Sequence, residues 1–271
     1  MDLIAHFRRL RLLLDAFLAP EITALLLPLA RPALRLGAGD GAPVRLGGAP
    51  LLPPDEPWPE WNGRPLDFLG AIDFADLARF GDIPGLPTSV IAFYYAAETP
   101  RPWGDEPSHW GGWRVFTGPL RPAAPERALY PETALAATPF LSLPSPQEPA
   151  VQRLETINSG VLPVYAQLHA AWTRHTWAEN APAHQLGGWP VLVQRPLGPD
   201  CVYASTGRTL VSPNSPALTP DEQRTAEEWR LLLQLDSDPR LGWYWGDPGR
   251  LYFCNRQNTP PEETWLTLQA A

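Results

Sequence analysis

The sequence contains no lysine; all 21 of its basic residues are arginine. A lysine Schiff base and the lysine of a Walker-type phosphate loop are therefore excluded, since both need a primary amine. Cysteine is almost as scarce. Cys201 and Cys254 stand about 50 residues apart with no Cys-x-x-Cys pair, so neither a thiolate zinc site nor a dense disulfide framework is expected. Two readings of the pair stand, a single disulfide or two buried reduced thiols. No apolar run reaches the ~20 residues that cross a bilayer, and no membrane span is expected. Also missing are a His-x-x-x-His with its glutamate, a Gly-x-Ser-x-Gly elbow, and the glycine spacings of phosphate and dinucleotide loops. Without those signatures no cofactor or metal is expected, and no reaction is named. A net charge of −8 argues against nucleic acid as a partner, because phosphate binding needs a basic footprint.

What is present describes a folded, loop-rich protein. Hydrophobic residues make up 44% and charged residues 18% of the chain, a globular balance. The 35 prolines demand many turns and extended loops. Leu3, Phe7, Leu10, Leu14 and Phe17 recur at steps of four and three, which predicts an amphipathic N-terminal helix rather than a signal peptide. A cytoplasmic location is the default. Leu66–Phe74 and Ser89–Tyr95 read as strands, and Val161–Trp177 as a helix. Residues 118–150 read as a Pro- and Ala-rich surface connection with at most one short strand near Phe140, and Val191–Gln194 as a short strand. Thr219-Pro220-Asp221-Glu222 combines an N-cap, a proline at the first helical position and a reciprocal glutamate, so a helix is predicted from 220 to about 228. Trp229–Leu235 and Gly249–Asn255 then read as a hairpin pair.

The chain also repeats itself. Leu46-Gly47-Gly48-Ala49-Pro50, Phe68-Leu69-Gly70-Ala71-Ile72-Asp73, Ile91-Ala92-Phe93-Tyr94-Tyr95 and Trp103-Gly104-Asp105 have counterparts about 140 residues later. These are Leu186-Gly187-Gly188-Trp189-Pro190, Leu231-Leu232-Leu233-Gln234-Leu235-Asp236, Leu251-Tyr252-Phe253 and Trp245-Gly246-Asp247. Two related halves are expected. Trp-Gly-Asp follows the aromatic strand in one half and precedes it in the other. Together with Trp58-Pro59, Pro65-Leu66-Asp67, His184-Gln185 and Asp236-Ser237-Asp238, these motifs resemble the YwqG-like family, a bacterial family of unknown function, over roughly residues 40–255. The resemblance implies an α+β fold with internal duplication. Some members of that family occur near toxin–immunity loci, which implies a protein partner. It implies no catalytic residues. The family's first strand usually carries a glutamine two residues before its aspartate, where this chain has Ala71; only Gln234 keeps it.

The expected architecture is α+β, internally duplicated, with mainly antiparallel sheets and flanking helices. A helical extension over 1–32 precedes a single domain over 33–271, with repeats at about 40–117 and 180–256. Candidate ligand-binding residues are Asp73, Asp236, His184, Gln234, Trp103, Asp105, Trp245 and Asp247. Asp73 and Asp236 end matching strands, where paired carboxylates hold a cation or divide acid and base roles; equally, each ends its strand by capping the following turn. Each Trp-Gly-Asp offers either a ring beside a carboxylate for a cationic or sugar-like ligand or a tight turn covered by an indole. The functional expectation is a bacterial binding protein with its site between the halves, the alternative a metal- or carboxylate-dependent enzyme using Asp73, Asp236 and His184. The oligomeric state is left open.

Overall fold

The computed structural model describes residues 3–81, 83–84, 86–209 and 217–271. Two helices, α1 (Leu3–Phe17) and α2 (Pro20–Leu26), open the chain. Pro20 takes the first helical position of α2, where its missing N–H costs nothing. The strands β1 (Arg31–Gly37) and β2 (Ala42–Leu46) follow, then the two-residue strands β3 (Leu51–Leu52), β4 (Glu60–Trp61) and β5 (Arg64–Pro65). Next come β6 (Asp67–Asp73), α3 (Phe74–Leu77), β7 (Val90–Tyr95), β8 (Trp113–Thr117), the short β9 (Arg121–Pro122) and β10 (Thr133–Ser142). The remainder comprises α4 (Pro149–Gln152), α5 (Val161–Thr176), β11 (His184–Leu186), α6 (Leu197–Ser205), α7 (Pro220–Glu228), β12 (Trp229–Asp236), β13 (Gly249–Arg256) and β14 (Trp265–Ala270). At α7 the Thr219 hydroxyl accepts from the Glu222 N–H and the Glu222 carboxylate accepts from the Thr219 N–H. The capping box read in the sequence is thus formed.

Ten strands make one antiparallel sheet in the order β14-β13-β12-β11-β1-β10-β2-β6-β7-β8. Its centre corrects the reading of residues 118–150 as a surface connection. β10 is a ten-residue strand inside the sheet, paired to β1 from Arg31↔Ser142 to Gly37↔Ala136. Three alanines and a proline give it weak intrinsic strand preference, and burial against neighbours decides instead. Pro139 lies beyond the part of β10 that pairs with β2, which ends at Ala137, so only one side there carries a ladder.

Outward from the β1–β10 pair, both flanks run in the same sense: β2-β6-β7-β8 on one side, β11-β12-β13-β14 on the other. Each has a bulge at the matching place, between Phe68 and Gly70 and between Leu231 and Leu233. Each anchors its Gly-Gly turn alike, Gly47 N–H donating to Leu69 O and Gly187 N–H to Leu232 O. The sheet curls until the flanks meet. Phe93 on β7 and Phe253 on β13 lie near opposite ends of the strand order, yet their rings are 5.2 Å apart in an edge-on contact. The seam is completed by indole N–H groups: Trp113 donates to Thr264 O and Trp265 to Gly104 O, both at 2.8 Å.

The interior of the curl is the main apolar core. A second core outside it joins Leu10 and Leu14 of α1 and Ile22 of α2 to Leu141, Tyr165 and Trp172, so the N-terminal helices pack on β10 of the sheet beside α5. A third, smaller core gathers Trp58, Leu66, Phe68 and Tyr94 on the outside of the first flank.

Candidate functional site

Four of the residues singled out in the sequence meet in one buried network in the second flank. His184 is fully buried, and its Nδ1 accepts from the Asp236 backbone N–H at 3.1 Å. That leaves the ring proton on Nε2, which donates to Asp238 Oδ2 at 3.1 Å. Burial opposes ionisation of Asp238, but hydrogen bonds from His184 and Arg240 outweigh it and hold the carboxyl well below its ordinary range. Asp236 accepts from Ala183 N–H at 2.9 Å and from Arg250 Nε at 3.0 Å. The Gln234 amide donates to Ala183 O and accepts from Val191 N–H.

The network acts on the loop 187–194. Val191 O receives both Arg250 and the Tyr252 hydroxyl, at 3.0 and 2.9 Å. Gln185 Nε2 donates to Gly187 O and Trp189 O, at 2.8 and 2.7 Å. This corrects the expectation of a strand over Val191–Gln194: side chains, not a neighbouring strand, satisfy that backbone. It also explains the asymmetry at Ala71. Gln234 holds backbone that in the first flank, at Leu51–Leu52, pairs as β3 with β9 instead.

The other candidates lie elsewhere. Asp73 is exposed and its Oδ1 caps α3, accepting from Ala75 N–H at 3.0 Å. Trp103 O accepts from Leu268 N–H across the seam, and Asp105 sits 3.1 Å from His109 Nδ1. Trp245 is buried edge-on against Tyr95, 5.8 Å between centroids, so this indole too bridges the flanks. Asp247 is exposed. Among the described residues no group of three His, Cys, Asp or Glu side chains is placed to hold a metal ion.

A cavity of about 880 Å³ opens beside the loop that the network fixes. Its walls come from the segment before β1, from α4, from α6 and α7, and from the start of β12, so it is displaced from the seam. Leu231 and Cys254 line it; both cysteines are free thiols. Trp189 forms one wall, tied to Leu29 O through its indole N–H at 2.6 Å, and the Arg31 guanidinium lies 3.5 Å above its ring centroid. Among the described residues the Arg31 guanidinium donates no hydrogen bond. Burial and the nearby Arg230 lower its pKa to about 9, with Glu148 opposing. Arg230 spends its Nη1 on the main-chain carbonyls of Glu227 and Trp229. At the rim Arg153 and Glu227 pair at 3.0 Å.

Glu148 faces this cleft from beside α4 and is 9% exposed. Burial raises its pKa from 4.5 to about 7, with Arg31 pulling the other way. A carboxyl raised on folding favours the fold fully below its unfolded pKa, and that contribution is lost as pH rises through the folded value. Glu148→Gln is therefore expected to match the native protein's stability near pH 4 and exceed it by about 3 kcal/mol at pH 8, from 1.36 kcal/mol per unit. Urea melts at the two pH values measure this, and equal stabilities at pH 8 would contradict it.

With this geometry in place, the chain belongs to the family described as Domain of unknown function (DUF1963), whose model matches residues 44–259. No curated protein matches the chain. The cleft residues Arg31, Glu148, Trp189 and Arg230 were not picked out from the sequence. One signal was there: extending the strand repeat two residues backward sets Leu66-Asp67 against Trp229-Arg230, an exchange of aliphatic for aromatic and of acid for base.

Proposed function

We propose that this chain is a binding protein whose ligand is a small organic acid held in the cleft beside Trp189. One observation carries this: two arginines, neither hydrogen-bonded to a carboxylate among the described residues, share an aromatic-walled cavity of about 880 Å³, a volume within the range of small-molecule sites. Arg31, kept cationic and seated on Trp189, and Arg230 are the anion-binding pair. Glu148, with its raised pKa, is protonated at mildly acidic pH and then presents a donor to an acidic ligand. The network of His184, Gln234, Asp236 and Asp238 positions the wall and does not touch the ligand. We infer as well that the matching flanks are an internal duplication of the YwqG-like kind, within one domain after the helical segment 1–32. After duplication the second copy kept an open site.

A thermal-shift series with benzoate, phenyl phosphate and short aliphatic acids tests the reading. At ten times its Kd a ligand adds about 1.4 kcal/mol, or roughly 3–6 °C in Tm for a chain of this size. Arg31→Ala and Arg230→Ala are each expected to abolish the shift. Shifts unchanged in both variants, or no shift with any acid, would sink the proposal.

A further inference from the structure

The cleft beside Trp189 is far larger than a simple acid requires. An apolar cavity of about 150 Å³ already takes a benzene molecule, whereas this one measures about 880 Å³. A benzoate-sized acid would leave most of it to water.

The charges along the cleft are unevenly met. Arg153 pairs with Glu227 at 3.0 Å, and Arg230 has Glu227 and Glu228 beside it. The acid acting on Arg31 is Glu148, a carboxyl that burial pushes toward its neutral form. Arg31 is therefore the lining cation with the weakest counter-charge. Its guanidinium lies 3.5 Å from the centroid of the Trp189 ring, and its N–H groups stay available to an oxyanion.

Much of the remaining wall is apolar. Leu29 before β1, Pro149 of α4, Pro190 of loop 187–194, Pro199 of α6, Ala226 of α7 and Trp229 of β12 all line the cleft. Each of them is half-buried or exposed, so each has surface left to cover. Covering it favours binding in proportion to its area. A charged head alone makes no use of that surface.

We propose that the cleft takes an amphipathic acid: one acidic head held by Arg31, with Arg230 nearby, and an apolar body well beyond benzoate in size laid against these walls. The inference rests on the acid-binding reading and narrows it to acids with long or bulky apolar bodies.

Calorimetric titration of the full chain with hexanoate, octanoate, decanoate and 1-octanol separates the two claims. The titrations are run at pH 6, where Glu148, with its pKa of about 7, is mostly neutral and does not repel the head. Full burial of a methylene is worth about fourfold in affinity. The expected result is a rise of at least about twofold per methylene, hence at least about 15-fold from hexanoate to decanoate. 1-Octanol, which has the chain without the charge, should bind at least about tenfold more weakly than octanoate. Arg31→Gln keeps side-chain bulk and should weaken all three acids by a similar factor while leaving 1-octanol unchanged. Equal affinity for the three acids, lost in Arg31→Gln, would overturn the amphipathic claim and leave the acid site standing. 1-Octanol binding as tightly as octanoate, with both indifferent to Arg31→Gln, would overturn both claims. Absence of binding by all four would overturn both as well.

Discussion

Gly104→Ala is expected to cost about 3–4 kcal/mol and to lower Tm by roughly 6–16 °C for a chain of this size. Gly104 sits at φ +76°, and a Cβ there would stand 1.7 Å from the carbonyl oxygen of Leu266. A backbone oxygen cannot swing aside as a flexible side-chain end does, so the segment 103–105 must move off β14. Two bonds go with it, Trp265 Nε1 to Gly104 O and Leu268 N–H to Trp103 O, each worth about 1 kcal/mol. Left-handed strain adds about 1–2 kcal/mol. Gly63→Ala is the control: Gly63 has a similar φ of +70° but open space around it, so strain alone is expected. Equal melting temperatures for the two variants would show that the Trp103-Gly104-Asp105 turn does not close the curled sheet.

The second large effect concerns His184 and Asp238. Asp238→Ala is expected to destabilise by roughly 2–4 kcal/mol: the neutral His184 keeps a buried N–H with no acceptor, at about 1–3 kcal/mol, and the Arg240 N–H loses its side-chain cap, at about 1 kcal/mol. His184→Ala should cost a similar amount, and the double variant clearly less than the sum, since both act in one contact. The pH dependence has a definite sign. The Asp238 carboxyl is depressed in the fold, so its contribution is present above the unfolded aspartate value of about 3.9 and is lost as pH falls below it. The stability gap between native protein and Asp238→Ala should therefore narrow steadily below about pH 4. Chemical denaturation at pH 7 and pH 3 measures it, and a constant gap would contradict the ion-paired network.

Much of the fold was written locally in the chain. The capping box at Thr219, the steps of α1 and the aromatic strands β7 and β13 are short-range signals, and each marks its element within a residue or two. β10 was hidden because its residues favour a strand only once β1 and β2 lie on either side. Loop 191–194 was misread for the converse reason, since an apolar run looks like a strand when buried side chains rather than a ladder hold its backbone. The candidate residues divide in the same way. Motif spacing led to His184, Gln234 and Asp236, which lie together, but it does not encode what they hold in place. Arg31, Glu148 and Arg230 come from three distant segments and meet through the strand order β12-β11-β1-β10, so no local pattern announces them.

The central claim is where an organic acid sits. Crystals of the native protein soaked with 4-bromobenzoate, measured at the bromine edge, give that position directly. The predicted result is an anomalous peak in the cleft beside Trp189, with the carboxylate turned toward Arg31 and Arg230. Bromine found only at the seam between the flanks or on the outer surface, with this cleft empty, would contradict it.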